Sequence, residues 1–180
     1  MSANFKINDF CVYKTHGIAK VVGFETIKFD NTSTKCYVLY FEKEKLTLTI
    51  PMKYKDTNEL RKLSTMEDME KIFSILRNSQ RKIKGMWSRR AKEYEEKINS
   101  GNIFDVAEVL QDLIRDVDDA DRSYSERIIY ETAIYRLASE LSIIKKIPYK
   151  EAEALILETA KEKINFKNKE EDSEEDEAVA

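Results

Sequence analysis

The sequence has 180 residues, 42% of them hydrophobic, which is enough to build the core of one or two domains. No run approaches the roughly 18 apolar residues that a membrane span needs, and the N-terminal MSANFKINDF carries charges among its few apolar residues. These features exclude a membrane protein and argue against secretion, so we expect a cytoplasmic protein.

The first third of the chain, from Phe5 to Leu63, has short bursts of alternating apolar residues that favour antiparallel β-strands. The predicted strands are Phe10–Lys14, Ile18–Phe29, a third strand over KCYVLYFE, and Leu46–Ile50. Turn residues separate the strands, and Pro51 stops the fourth because proline cannot donate a ladder hydrogen bond. Short strands in this order predict a small curled sheet or barrel of the SH3 or Tudor kind.

The single histidine and both cysteines of the chain lie in this β module. Cys11 and Cys36 lie in strand-like runs without a CxxC partner, so they are predicted to be buried free thiols and not metal ligands. His16 precedes a glycine and has no visible partner for general base work, which makes it a turn residue. The chain has four glycines and lacks a phosphate loop and a nucleophile elbow. We therefore expect no enzymatic activity and no cofactor.

From Ser64 onward the apolar spacing changes to that of amphipathic helices. Thr65 or Ser64 is the predicted N-cap of the first helix, because acidic residues follow in its first turn. Five apolar side chains make up its predicted core face: Met66, Met69, Ile72, Phe73 and Leu76. The second helix is predicted over Trp87–Ile98, and the third, capped by Asn102, has an apolar stripe over Val106–Val117.

Two more helices are predicted before the C-terminal tail. Ser125 or Ser123 caps the fourth, whose apolar stripe consists of Ile128, Ile129, Ala133, Leu137 and Leu141. Pro148 separates it from the fifth, which runs from Tyr149 to about Lys163. Five amphipathic helices with short links predict a compact bundle. The expected fold class is therefore α+β in two domains, with the β module over residues 1–64 and an all-α domain over residues 65–166.

The last residues, 167–180, differ in composition from the rest of the chain. Seven acidic side chains occur between Glu170 and Glu177, and Val179 is the only large apolar residue. Such a segment cannot bury enough apolar surface to fold, so it is predicted to be a disordered acidic tail. Because the net charge of the whole chain is only −3, the body without this tail is slightly basic.

The stretch around Trp87, the only tryptophan, is the strongest candidate for function. Cations surround it at Arg77, Arg81, Lys82, Lys84, Arg89, Arg90 and Lys92. Cations attract phosphates, and a large flat ring can stack on a base or wedge between base steps. A structural alternative is that Trp87 is a half-buried ring closing a helix N-terminus while the basic residues form a solvated face.

The order of these features resembles the CarD/CdnL family of bacterial transcription regulators, over Phe5 to about Ala160. The resemblance rests on FKINDFCVYKTHGIAKVVGFETI, LTLTIP, MWSRRAKEYEEKINSGN, VAEVLQDLIRD and SERIIYETA. The order WSRR, K, SG, VAEV and DL is the specific part. A similar β module occurs in the transcription-repair coupling helicase, but this chain lacks helicase motifs.

The resemblance implies that the β module binds the β subunit of RNA polymerase through an exposed strand edge. It also implies that the helical domain contacts promoter DNA at the upstream edge of the transcription bubble, where Trp87 wedges into the minor groove and stabilises the open complex with little sequence preference. The implied phosphate-facing cations are Arg89, Arg90, Lys92 and Arg127. The implied polymerase-facing residues are Ile27, Phe29, Thr47, Leu48, Thr49, Ile50 and Pro51. The implied protein is a monomer that associates with the nucleoid through the polymerase.

This chain departs from the family pattern at two polymerase-facing positions. Relatives carry arginines where this chain has Ile27 and Thr49. We still expect binding, because strand addition draws its affinity from main-chain hydrogen bonds. The alternative function is a protein adaptor, in which the β module binds a partner strand and Trp87 anchors a second protein without DNA. DNA binding weakens steeply with salt, whereas apolar docking does not, so salt dependence separates the two functions.

Overall fold

The computed structural model describes residues 4–29, 32–52, 59–78, 86–114 and 122–162, with only the backbone of Phe29. These residues form two compact units. The first consists of the residues up to Ser64 together with Asn99–Asn102, and the second of Thr65–Ile98 and the residues from Ile103 onward. The predicted α+β fold class is confirmed, because the first unit is an antiparallel sheet and the second is helical. The predicted tail, residues 167–180, lies outside the described residues.

The sheet has five antiparallel strands in the order β4-β3-β2-β1-β5. The strands are β1 (Phe10–Tyr13), β2 (Gly17–Phe29), β3 (Thr32–Phe41), β4 (Leu46–Pro51) and β5 (Leu60–Arg61). The four predicted strands are all present. The sequence pattern did not predict β5, since two residues are too few to show alternation.

β4 pairs with only part of the neighbouring strand β3. β2 and β3 form a long hairpin that closes at Phe29 and Thr32, whereas β4 pairs with β3 only from Phe41 back to Cys36. The end of this hairpin therefore extends past β4, and β4 is an edge strand of the described sheet. Alternation places one set of side chains in the core: Ala19, Val21, Tyr37, Leu39 and Phe41.

The helical unit contains α1 (Met66–Arg77), α2 (Trp87–Ile98), α3 (Ile103–Leu113), α4 (Tyr124–Lys145) and α5 (149–162). Their apolar stripes bury one another, as the periodicity predicts, and the most deeply buried large side chains include Met69, Ile72, Leu110, Leu137, Leu141 and Ile156. The prediction that Met66 and Ile128 belong to the core stripes is wrong, because Met66 is 43% exposed and Ile128 is 46% exposed. The predicted positions Val117 and Lys163 lie outside the described residues.

The caps of α1 and α4 resolve two alternatives that the sequence left open. Thr65 caps α1 in a capping box with Asp68, and Ser123 caps α4 by accepting a hydrogen bond from the Glu126 amide at 3.3 Å. The hydroxyl of Ser125, the other candidate cap of α4, is therefore available for a different contact.

A buried ion pair fixes the first turn of α4. The guanidinium of Arg122 lies 3.4 Å from the Glu126 carboxylate and 4.1 Å from the ring centroid of Tyr130. Both charged side chains are almost fully buried. Breaking such a pair leaves one buried charge uncompensated, which typically costs about 3–5 kcal/mol. The buried pair thus stabilises the start of α4, where Ser123 and Ser125 lie.

Candidate nucleic-acid interface

Trp87 is the first residue of α2 and packs, half-buried, against the helical core. Its indole Nε1 donates a hydrogen bond to Ser125 Oγ on α4 at 2.8 Å. Its ring centroid lies 6.3 Å from that of Tyr94, with the ring planes tilted by 50°. Part of the indole therefore remains at the surface while its orientation is restrained by neighbours on two helices.

Arg90 lies on the same face of α2 as Trp87 and Tyr94, as spacings of three and four residues require. Its guanidinium carbon is 5.4 Å from the Trp87 ring centroid and 5.9 Å from that of Tyr94, which is cation–π geometry. Arg90 Nε and the Tyr94 hydroxyl are both buried. Burial raises the pKa of the Tyr94 hydroxyl. Arg90 thus braces the indole, a contact that the sequence pattern did not reveal.

The other predicted DNA-binding cations are exposed around this cluster. Arg89 follows Trp87 on α2, and Arg127 lies in the first turn of α4, two residues after Ser125. Lys92 is 3.9 Å from Glu96, but both side chains are largely exposed, so the pair is weak. The cations predicted at Arg81, Lys82 and Lys84 lie outside the described residues.

Backbone charge in this region favours an anion. The hydrogen bond between Trp87 and Ser125 joins the first turn of α2 to the first turn of α4. Helix N-termini carry positive partial charge, and the first turn of α2 contains no acidic residue to offset it. The first turn of α4 contains Glu126, whose charge is paired with that of Arg122. The exposed arginines and the N-terminus of α2 therefore act with the same sign.

The same region exposes apolar side chains, which the sequence pattern did not predict. Met86 is 79% exposed and Tyr124 is 81% exposed, while Ile128 follows Tyr124 by one helical turn. Exposed apolar groups beside an aromatic ring often mark interaction surfaces. Periodicity alone assigned Ile128 to the core, because the two faces of α4 are both rich in apolar residues.

In the sheet unit, the predicted polymerase-facing residues of β4 differ in how deeply their side chains are buried. Thr47 is exposed, Leu48, Thr49 and Pro51 are partly buried, and Ile50 is buried in the core. Ile50 can therefore offer an approaching strand only its backbone. Thr49 donates a long hydrogen bond of 3.4 Å to Glu25.

Ile27 lies on the hairpin that extends past β4 and is 43% exposed. Phe29 is the last residue of β2, paired with Thr32, and its side chain is outside the described residues. Glu25 and Ile27 are two residues apart on β2 and so point to the same side of the strand. Glu25, which accepts the hydrogen bond from Thr49, and the apolar Ile27 therefore lie on the same side of the hairpin.

The histidine and the two cysteines have contacts and burial that are typical of structural residues. His16 Nδ1 lies 2.6 Å from Glu44, and the His16 ring stacks on Tyr13. Cys11 and Cys36 are free and buried, and burial raises the pKa of the Cys11 thiol to about 12. Across the described ranges, no cluster of three or more His, Cys, Asp or Glu side chains is arranged to hold a metal ion. In the same part of the chain, the helices are too short or too polar to span a bilayer.

Two family models match the chain in succession. The CarD-like/TRCF RID domain matches residues 5–64, and the CarD C-terminal domain matches residues 71–157. The chain belongs to the CarD family. The resemblance inferred from the sequence motifs is thereby confirmed, and the CarD-like sheet unit is a Tudor-like fold.

A curated relative matches this chain over nearly the full length of that relative. The Bacillus subtilis (strain 168) protein named "Putative transcription factor YdeB" is 28% identical over 147 residues, which cover 82% of this chain and 96% of that protein. The RID match contains all five strands, and the C-terminal CarD match contains Trp87, Ser125 and the predicted DNA-binding cations.

Proposed function

We propose that this CarD-family protein is a transcription factor that holds promoter DNA open while bound to RNA polymerase. The sheet unit binds the β subunit of the polymerase, and the helical unit contacts DNA at the upstream edge of the bubble. The observation that carries the proposal is Trp87, which is half-buried, braced by Arg90 and flanked by exposed Arg89. A restrained indole beside exposed cations suits a wedge in the minor groove.

The proposed mechanism is a difference in affinity between two states of the promoter. A ligand shifts an equilibrium only by its differential affinity, so the protein must bind melted DNA better than paired DNA. Separating base steps costs a few kcal/mol, and an indole that fills the gap offsets part of that cost. A difference of about 1.4 kcal/mol changes the ratio of open to closed complexes tenfold, so one side chain can have a large effect.

Attachment to the polymerase makes a modest affinity for DNA sufficient, because it raises the local concentration of the helical unit. β4 supplies the attachment, since an edge strand can pair with a strand of the partner through main-chain hydrogen bonds. Ile27 adds an apolar contact beside this edge. The absence of arginine at Ile27 and Thr49 leaves the backbone as the main source of affinity.

One observation favours a second candidate function, the protein adaptor. Met86 and Tyr124 are among the most exposed large apolar side chains in the described ranges, and such groups suit a protein surface better than a phosphate backbone. In this function Trp87 anchors a partner protein and no DNA is bound.

The test is the lifetime of open promoter complexes formed with purified RNA polymerase and challenged with a competitor. Wild-type protein is expected to lengthen the lifetime, and Trp87→Ala is expected to remove most of that effect without loss of polymerase binding. Tyr135→Ala, which removes a partly buried ring elsewhere on α4, is the control for aromatic deletion in the same unit. An unchanged lifetime with Trp87→Ala would remove the indole from the mechanism.

A further inference from the structure

Ser125 is the polar partner of the indole in the helical unit. Its hydroxyl accepts the hydrogen bond from Trp87 Nε1 at 2.8 Å and lies 3.4 Å from the hydroxyl of Ser123. Ser123, not Ser125, caps α4, so helix capping does not account for the position of the Ser125 hydroxyl. The only role that the sequence suggested for Ser125 was that of a helix cap, which Ser123 fills.

We infer that Ser125 is a positioning residue for Trp87, and that its hydroxyl holds the indole in the orientation in which it meets DNA. The inference rests on the proposed function of Trp87 as a wedge. Ser125 acts through Trp87, and no contact between Ser125 and DNA is required.

The hydrogen-bond acceptor is itself held in place. Ser125 is the second residue of α4 and lies between the cap at Ser123 and Glu126, whose carboxylate pairs with Arg122. A serine on this first turn has little freedom to move away from the indole. The Nε1 bond restrains one edge of the ring while Arg90 stacks against the ring at 5.4 Å. A hydrogen bond and a cation–π contact thus both restrict the rotation of the Trp87 side chain.

Restraint of this kind favours binding, because the side chain has already lost its conformational entropy when the protein folds. An unrestrained aromatic side chain loses rotamer freedom on insertion, and a preorganised one has already lost it. Freezing one side chain changes affinity by about threefold to tenfold. The bond also occupies the only polar donor of the indole. The ring then meets DNA by shape and stacking, which agrees with a wedge that reads little sequence.

The first arm of the test uses Trp87 fluorescence, which reports on one site because the chain has a single tryptophan. Ser125→Ala in the full-length free protein is expected to red-shift the emission and lower its anisotropy, since the released ring becomes wetter and more mobile. Ser125→Thr keeps a hydroxyl and is expected to retain wild-type emission. Ser88→Ala removes an exposed hydroxyl next to Trp87 in the chain and serves as the matched control. Wild-type emission and anisotropy in Ser125→Ala would overturn the inference.

The second arm uses the open-complex lifetime. Ser125→Ala is expected to shorten the lifetime about threefold to tenfold, with Ser125→Thr close to wild type. If Ser125→Ala alters the fluorescence but not the lifetime, while Trp87→Ala shortens it, the positioning role is refuted and the proposed function stands. If Trp87→Ala itself leaves the lifetime unchanged, the proposed function fails, whatever the fluorescence shows.

Discussion

The salt dependence of DNA binding offers the sharpest quantitative prediction, with Arg89→Ala as the perturbation. Arg89 is exposed and follows Trp87 by two residues, so its removal deletes a charge at the surface. Arg90 differs, because its guanidinium is stacked on two rings and its removal would disturb Trp87 as well. Arg89→Ala therefore isolates the phosphate contribution.

The magnitude follows from the number of exposed cations in the described interface. If Arg89, Lys92 and Arg127 each neutralise one phosphate, they contribute about −2.7 to the slope of log affinity against log salt. That slope is an affinity loss of about 40-fold between about 50 and 200 mM salt. Arg89→Ala reduces the slope to about −1.8 and the loss to about 12-fold. Cations outside the described residues would steepen both slopes without changing their difference.

The assay is fluorescence-anisotropy titration of a labelled promoter bubble at several salt concentrations. Lys150→Ala, which removes an exposed cation from α5, is the matched control and should leave the slope unchanged. A wild-type slope near zero would contradict phosphate contact altogether and favour the adaptor function. An unchanged slope in Arg89→Ala, with a steep wild-type slope, would remove Arg89 from the interface.

Further predictions concern polymerase binding, stability and thiol chemistry. Ile27→Asp should weaken binding to purified polymerase about tenfold, because it places an unpaired carboxylate in an apolar contact. Val22→Asp, at an equally exposed position of β2, should not weaken binding. Equal losses in the two variants would show that Ile27 makes no specific contact with the polymerase. Thr65→Ala should lower the free energy of unfolding by about 1 kcal/mol through loss of the capping box, measured by urea denaturation, and no change would contradict that cap. Leu137→Ala should lower it by about 2–5 kcal/mol, since Leu137 is fully buried; a loss well below 1 kcal/mol would mean a loosely packed core. Because its raised pKa of about 12 keeps the Cys11 thiol protonated, this cysteine should resist a thiol reagent at pH 8 in the folded protein and react in denaturant, and rapid native labelling of Cys11, located by peptide mapping, would contradict its burial.

Local periodicity predicted most of the fold because each element buries one face. The alternation in LTLTIP identified β4, and the spacing of Met69, Ile72 and Leu76 identified α1. The same reasoning failed at the ends of elements. Met66 is the first residue of its helix and is 43% exposed.

The candidate site was only partly predictable. Residue type and charge singled out Trp87, since a lone tryptophan among cations is visible in the sequence. Its contact with Ser125 joins residues 38 positions apart, and no local pattern carries that information. The stacking of Arg90 depends on which face of α2 points inward, so the sequence showed its charge but not its contact with the ring.

The most direct test of the central claim is the affinity of the protein for polymerase bound to a pre-melted promoter, compared with polymerase bound to a fully paired one. Stabilisation of the open state requires tighter binding to the melted form. We expect wild-type protein to prefer the melted complex about tenfold, and Trp87→Ala to lose that preference while still binding the polymerase. Equal affinity of the wild-type protein for the two complexes would contradict the account.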